Sequence, residues 1–241
     1  MPVPPSRSER LQEDIKSFHD TVDQLKTACL DQRLLEDIDS EGEGNSLQPI
    51  LDVVNGLADE AAAMQAEAKA NTKFQSLFGQ PSERYPELDE VVADINLKKG
   101  MWEARSQIFS ETETWKECLV MEMPLKEWDA QCQKWYKIAA RAERELPVNS
   151  VVPRLKDEAK VWKDLVPACG ELKNPALQDR HWDKLEGLVG FKFERDPETW
   201  SEPFTLGSLM AKNIMNYRSV RCPEDAACLT HTTLAQFSLL H

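Results

Sequence analysis

An all-α fold is predicted, an elongated antiparallel bundle or serial array of helices with one short irregular stretch near residues 190–204. Three observations predict it. Apolar residues recur at alternating spacings of three and four through most of the chain, which places them on one helical face. Only nine of the 241 residues are glycine, the residue that tight turns and strained backbone consume. Hydrophobic residues make up 41% and charged residues 29%, enough to fill a core while leaving broad solvated faces.

The elements follow in order. Leu11, Ile15, Phe18, Val22, Leu25 and Cys29 form a heptad seam. An acidic, glycine-containing loop from Asp37 to Asn45 ends it. A second seam, Ile50, Val54, Leu57, Ala61, Met64 and Ala68, is expected to run to about Phe78. Its alanines imply close helix approach. Gly79 suits a left-handed cap there and Pro81 cannot continue the helix. Tyr85-Pro86-Glu87 opens a third helix with Leu88, Val92, Ile95, Trp102, Phe109 and Trp115 near one stripe. Gly100 inside it allows a bend, and Met123-Pro124 ends it.

The fourth helix carries the most regular seam, Leu125, Trp128, Cys132, Trp135, Ala139, Ala142 and Leu146. Pro147 and Asn149 break it, and Pro153 fits the first turn of a fifth helix bearing Leu155, Ala159, Trp162, Val166 and Cys169. Beyond an Asn174-Pro175 turn, a brief helix spans Leu177 to Leu188. Phe191 and Phe193 alternate as in a short strand or extended arm, and Leu206 to Tyr217 returns to helix. The seams recur without a repeated motif, so no helical-repeat array is assigned. The organisation is residues 1–45 as helix and acidic loop, 46–218 as the main helical region, and 219–241 as a divergent tail.

Composition excludes several functions. The net charge is −13, which repels nucleic acid, anionic membranes and acidic filaments, and no window clusters five Lys or Arg to offset it. Apolar runs fall short of the roughly 18 residues of a membrane span. Met1 to Arg10 lacks the apolar core of a secretion signal. Cys29, Cys118, Cys132, Cys169, Cys222 and Cys228 are therefore read as reduced thiols of a cytoplasmic protein.

Candidate chemistry is thin. Neither Gly-x4-Gly-Lys-Ser/Thr nor Gly-x-Gly-x-x-Gly occurs, and Gly42 and Gly44 sit among carboxylates that repel phosphate. Cys222, Cys228, His231 and His241 are spaced too loosely for a usual zinc module. His19, Asp20 and Asp23 lack the second Glu-x-x-His helix of a di-iron bundle. His181 is read as capping or packing a helix turn, with Trp182 as a core anchor and Arg180 pairing a carboxylate. Six of the seven tryptophans, Trp102, Trp115, Trp128, Trp135, Trp162 and Trp182, fall on or near helix stripes and are read first as core and second as docking anchors. No catalytic, cofactor-binding or metal-ligating residue is assigned.

One stretch has a family likeness. Leu146-Pro147, Asn149, Val151-Val152, Leu165, Pro167, Asn174 to Leu177 and Arg180-His181-Trp182 closely resemble the dynein heavy chain where its tail runs into its linker. In that family a Leu-Pro-x-Asn-x-Val-Val turn precedes a helix ending in Leu-Pro and then Asn-Pro-Ala-Leu-x-x-Arg-His-Trp. Leu77-Phe78-Gly79, Tyr85 to Leu88, Met101-Trp102, Trp115 and Phe204 to Leu209 support the resemblance, which runs from about Ala58 to Tyr217 and is more axonemal in wording than cytoplasmic. It leaves the pattern near Ser219.

The resemblance implies structural roles for Leu146, Pro147, Asn149, Asn174, Pro175, Arg180, His181 and Trp182. It implies a mechanical element of a microtubule motor in the cytoplasm, cytoskeleton and cilium or axoneme, with no ATPase, cofactor or direct microtubule contact of its own. The implied partners are intermediate and light intermediate chains and neighbouring heavy-chain segments. A spectrin-like structural scaffold is the alternative. It accounts for the seams and the acidity but not for the Arg-His-Trp motif.

Overall fold

The structure, a computed structural model, describes residues 7–38, 47–77, 79, 81, 84–190, 192–193 and 204–211. Among these the chain is all-α: α1 (Arg7–Cys29), α2 (Gln48–Leu77), α3 (Pro86–Glu117), α4 (Leu125–Glu145), α5 (Val151–Glu171), α6 (Asp179–Val189) and α7 (Leu206–Ala211). Short 3-10 turns lie at Gln32–Leu34 and Val120–Glu122. No strand occurs among the described residues; Leu119 and Thr205 form one isolated antiparallel bridge. The expected tail and the acidic loop from residue 39 onward fall outside the described residues, as does Phe191.

The chain divides into two compact units, Met1–Ser106 with Ile138–Leu155, and Gln107–Lys137 with Lys156–His241. In the first, α1 buries Phe18, Val22, Leu25 and Cys29, and α2 buries Val54, Leu57, Ala61, Met64 and Ala68. The α2 seam then continues through buried Asn71 and Gln75. Gly79 has φ +66° and closes this helix in the left-handed region that glycine alone enters freely. Phe18 packs edge-on against Tyr85 at 4.9 Å.

On α3 the buried seam is Leu88, Val91, Ile95, Lys98, Trp102 and Arg105, continuing through Ile108, Thr112 and Trp115. Val92 is only half-buried and Phe109 is exposed, so both leave the expected stripe. The reason is that two cations occupy seam positions, and an apolar search slides off them onto neighbouring residues. No break occurs at Gly100, and α3 runs through it as one helix. It stops at Glu117, before Met123-Pro124, because Cys118 O accepts from Leu206 N (3.0 Å) and Val120 N donates to Phe204 O (3.0 Å). Residues 204–206 thus take over the backbone groups that another helical turn would have used.

In the second unit Trp128, Cys132 and Trp135 of α4 and Ala159, Trp162, Val166 and Cys169 of α5 are buried. Pro167 does not end α5, which continues to Glu171. Gly190 caps α6 at φ +78°. Gly207 meets α3's end closely: a Cβ there would lie 3.0 Å from Lys116 O.

Burial governs the thiols. Loss of solvation, reinforced by Asp94, pushes Cys29 up from 9.0 to about 11. Loss of solvation pushes Cys132 and Cys169 up to about 12. A neutral thiol is thus favoured in the folded state, and the stability it contributes is lost as pH rises from the unfolded value through the folded one.

Chemical denaturation at pH 7 and at a series of values from 9 to 11 should therefore show falling stability across that window. Replacing Cys132 and Cys169 by alanine should flatten the slope. Gly100→Ala, whose Cβ meets only Ile138 Cγ2 at 4.0 Å, should raise unfolding free energy by about 1 kcal/mol. Gly207→Ala should lower it by about 1–3 kcal/mol through overpacking. Urea midpoints check both.

Candidate functional site

Three side-chain constellations stand out, two where helix ends and loops are fastened and one between helices. The first centres on Asp37. Its carboxylate receives Arg154 Nη1 at 2.8 Å and has Arg105 Nε at 3.7 Å, and both the aspartate and Arg105 are nearly buried. Asp37 N donates to Ser150 Oγ (2.7 Å), and Ser150 N donates to Leu35 O (3.2 Å). Trp102 Nε1 donates to Leu34 O at 3.0 Å. The segment between α1 and α2 is thus held to α3 and to the start of α5 by five polar contacts. An aspartate buried between two guanidinium groups is a charge that cannot be stranded without a cost of several kcal/mol, on the order of 3–5.

The second holds the end of α1. Lys98 Nζ, almost fully buried, donates to Cys29 O (2.7 Å) and to Asp94 Oδ2 (2.8 Å), and lies 3.4 Å from Cys29 Sγ. The Cys29 thiol donates to Asp94 Oδ2 at 2.9 Å. Here a cation satisfies one of the orphan carbonyls of a helix C-terminus, the end that attracts positive charge.

The third is aromatic. Trp115 of α3 stacks on Trp128 (4.5 Å, 11°) and Trp135 (5.3 Å, 28°) of α4 and meets Trp162 of α5 edge-on at 5.7 Å. Gln107 Oε1 accepts from Trp135 Nε1 and Gln131 Nε2, each at 3.3 Å. Glu111, held above the ordinary carboxylate range mainly by burial, accepts from Gln131 as well. All six described tryptophans are buried. Their offset and edge-on geometries add attraction beyond burial alone.

The motif residues take clear local places. Leu146 is buried at the end of α4, where its N–H donates to Ala142 O (2.9 Å), and Pro147 is exposed just beyond. Asn149 Oδ1 accepts from Val152 N (2.9 Å) while its Nδ2 donates to Pro147 O (2.7 Å), a cap at the start of α5. Asn174 Oδ1 accepts from Ala176 N and Asn174 O from Leu177 N, making a turn with Pro175 exposed. His181 Nδ1 accepts from Gln178 N at 3.1 Å, half of a capping box on α6. Trp182 packs on Phe193 (5.3 Å) and Phe204 (6.5 Å). Arg180 is exposed and has no ion pair among the described residues.

These groups are not brought together around a reacting centre. Among the described residues no set of three His, Cys, Asp or Glu is placed to hold a metal ion, and no helix is long and apolar enough to cross a membrane. His19 leans on Tyr85. The Cys222, Cys228, His231 and His241 cluster lies outside the described residues. Sequence reasoning missed Asp37, Lys98, Arg105, Ser150 and Arg154. The usable signal was the heptad register itself, which passes through Lys98 and Arg105 without a break.

Comparison with known proteins accords with this geometry. The family described as dynein heavy chain, N-terminal region 2, matches residues 88–224. Dynein axonemal heavy chain 6 of Homo sapiens is 28% identical over 180 residues, 73% of this chain and 4% of that protein. The ciliary dynein beta chain of Heliocidaris crassispina is 28% identical over 133 residues, 55% of this chain and 3% of that protein. The dynein-1-beta heavy chain of the flagellar inner arm I1 complex of Chlamydomonas reinhardtii is 25% identical over 206 residues, 84% of this chain and 4% of that protein. The chain thus spans a few per cent of the length of these relatives. With more than half of its residues inside the matched region, the chain belongs to the dynein heavy chain family.

Proposed function

We propose that this chain serves as part of the tail or linker of an axonemal dynein heavy chain, a mechanical and subunit-binding element that does not itself hydrolyse ATP. One observation carries the reading: the family match covers the helices bearing the Trp115, Trp128, Trp135 and Trp162 brace. A lever must resist bending, and stacked indoles across three helices oppose relative movement of those helices. No phosphate-binding loop occurs in the sequence, which accords with a non-catalytic part. Intermediate chains, light intermediate chains and adjoining heavy-chain segments are the proposed partners, and the cytoskeleton of the cilium the proposed location. The spectrin-like alternative does not account for the family match.

Purified chain should show no ATP turnover above buffer, and an activity that survives removal of contaminating ATPases would refute the assignment. Co-expressed with axonemal intermediate chains, the tagged chain should copurify with them. Trp115→Ala, which removes the indole that the other three meet, should cost about 3–5 kcal/mol of stability and reduce that copurification.

A further inference from the structure

The outer side of α2 is unaccounted for by the packing described above. α2 buries the stripe that runs from Val54 to Gln75. Of the residues one position later, Asn55, Ala58, Gln65 and Thr72 are half-buried and Ala62, Lys69 and Ser76 are exposed. Residues one position earlier form a second unbroken heptad line from Val53 to Leu77, at spacings 3, 4, 3, 4, 3, 4, 3, and every member of it is exposed. The helix is partly covered on one flank and bare along the whole of the other.

That bare line has a distinct chemistry. Phe74 is 48% exposed, Leu77 70% and Val53 40%, three of the large apolar side chains left open on the described surface. Between them stand Gly56, Ala63 and Ala70, which let another backbone approach. Glu60 and Glu67 occupy the two remaining positions, and neither has an ion-pair partner among the described residues. Heptad spacing with apolar ends, small middle positions and unpaired acids matches a coiled-coil seam awaiting a cationic neighbour.

We propose that this face of α2 docks an amphipathic helix of basic character from a partner protein, with apolar residues against Phe74 and Leu77 and Lys or Arg opposite Glu60 and Glu67. Charge decides the occupant. A parallel second copy of the chain would set Glu60 and Glu67 against their own equivalents, any second copy brings a net charge of −13 to a like charge, and an anionic membrane or nucleic acid would be repelled likewise. The face lies outside residues 88–224, so the proposal stands apart from the family assignment.

The probe is a fluorescein-labelled synthetic helix about four heptads long, with leucine at a and d and lysine at e and g, which keeps it from pairing with itself. Its control has glutamate in place of lysine. By anisotropy the full chain should bind the basic helix and not the acidic one. Phe74→Ser with Leu77→Ser should weaken binding by at least about 10-fold. Glu60→Lys with Glu67→Lys should reverse the preference between the two peptides, whereas the same charge change at exposed Glu87 and Glu90 of α3 should not. Circular dichroism confirms that each surface variant stays folded. Failure to bind the basic helix overturns the proposal. So does binding that survives the Phe74/Leu77 change, or equal loss from the Glu87/Glu90 control. Self-association of the chain that Phe74→Ser with Leu77→Ser abolishes would overturn it in favour of a second copy.

Discussion

Every helix leaves backbone groups unpaired at its ends, and in this protein many of those groups find partners far along the chain. The last carbonyl of α1 is taken by Lys98, 69 residues on. Leu34 O is taken by the indole of Trp102, Leu35 O by Ser150 N, and Asp37 N by Ser150 Oγ. The end of α3 is completed by residues 204–206, and Met123 O by Lys173 Nζ at 2.7 Å. Apolar seams set which faces meet. These long-range bonds fasten the ends of α1 and α3, and with them the course of the connecting segments.

That division explains what could be read in advance. Helix existence, type and most of the buried faces of α1, α2, α4 and α5 follow from spacing alone, because Phe18, Val54, Trp135 and Trp162 recur at the intervals of a helical face. The turn chemistry of Gly79, Asn149 and His181 was equally accessible, since caps are local and use a small set of residue types. Two things were not. Helix α3 carries Lys98 and Arg105 on its buried side, which composition-based patterning treats as solvent positions. Its early stop depends on residues nearly ninety positions later, which no local window contains. Of the fastening sites, the indoles were visible in the sequence and the Asp37 hub was not, because its partners meet only in space.

The two kinds of fastening differ in physical character. The indole group of α3, α4 and α5 derives its strength from area and ring geometry and is nearly indifferent to small rotations about the stack. The Asp37 and Lys98 groups are directional, and each depends on atoms meeting within a few tenths of an ångström. The chain thus has broad contacts that tolerate small displacements and narrow ones that define position.

The cations buried in α3 also bear on alignment. A purely apolar heptad seam looks nearly the same after a shift of seven residues, so helices held by it alone could settle in several offsets of similar energy. Lys98 and Arg105 stand seven apart, yet each answers to a different acid, Asp94 with the α1 carbonyl in one case and Asp37 in the other. Asp94 lies on α3 and would travel with Lys98, so sliding α3 by one repeat breaks the bond from Lys98 to Cys29 O and parts Arg105 from Asp37. The seam is thereby keyed like a lock with two unlike pins, and only one offset lets both drop.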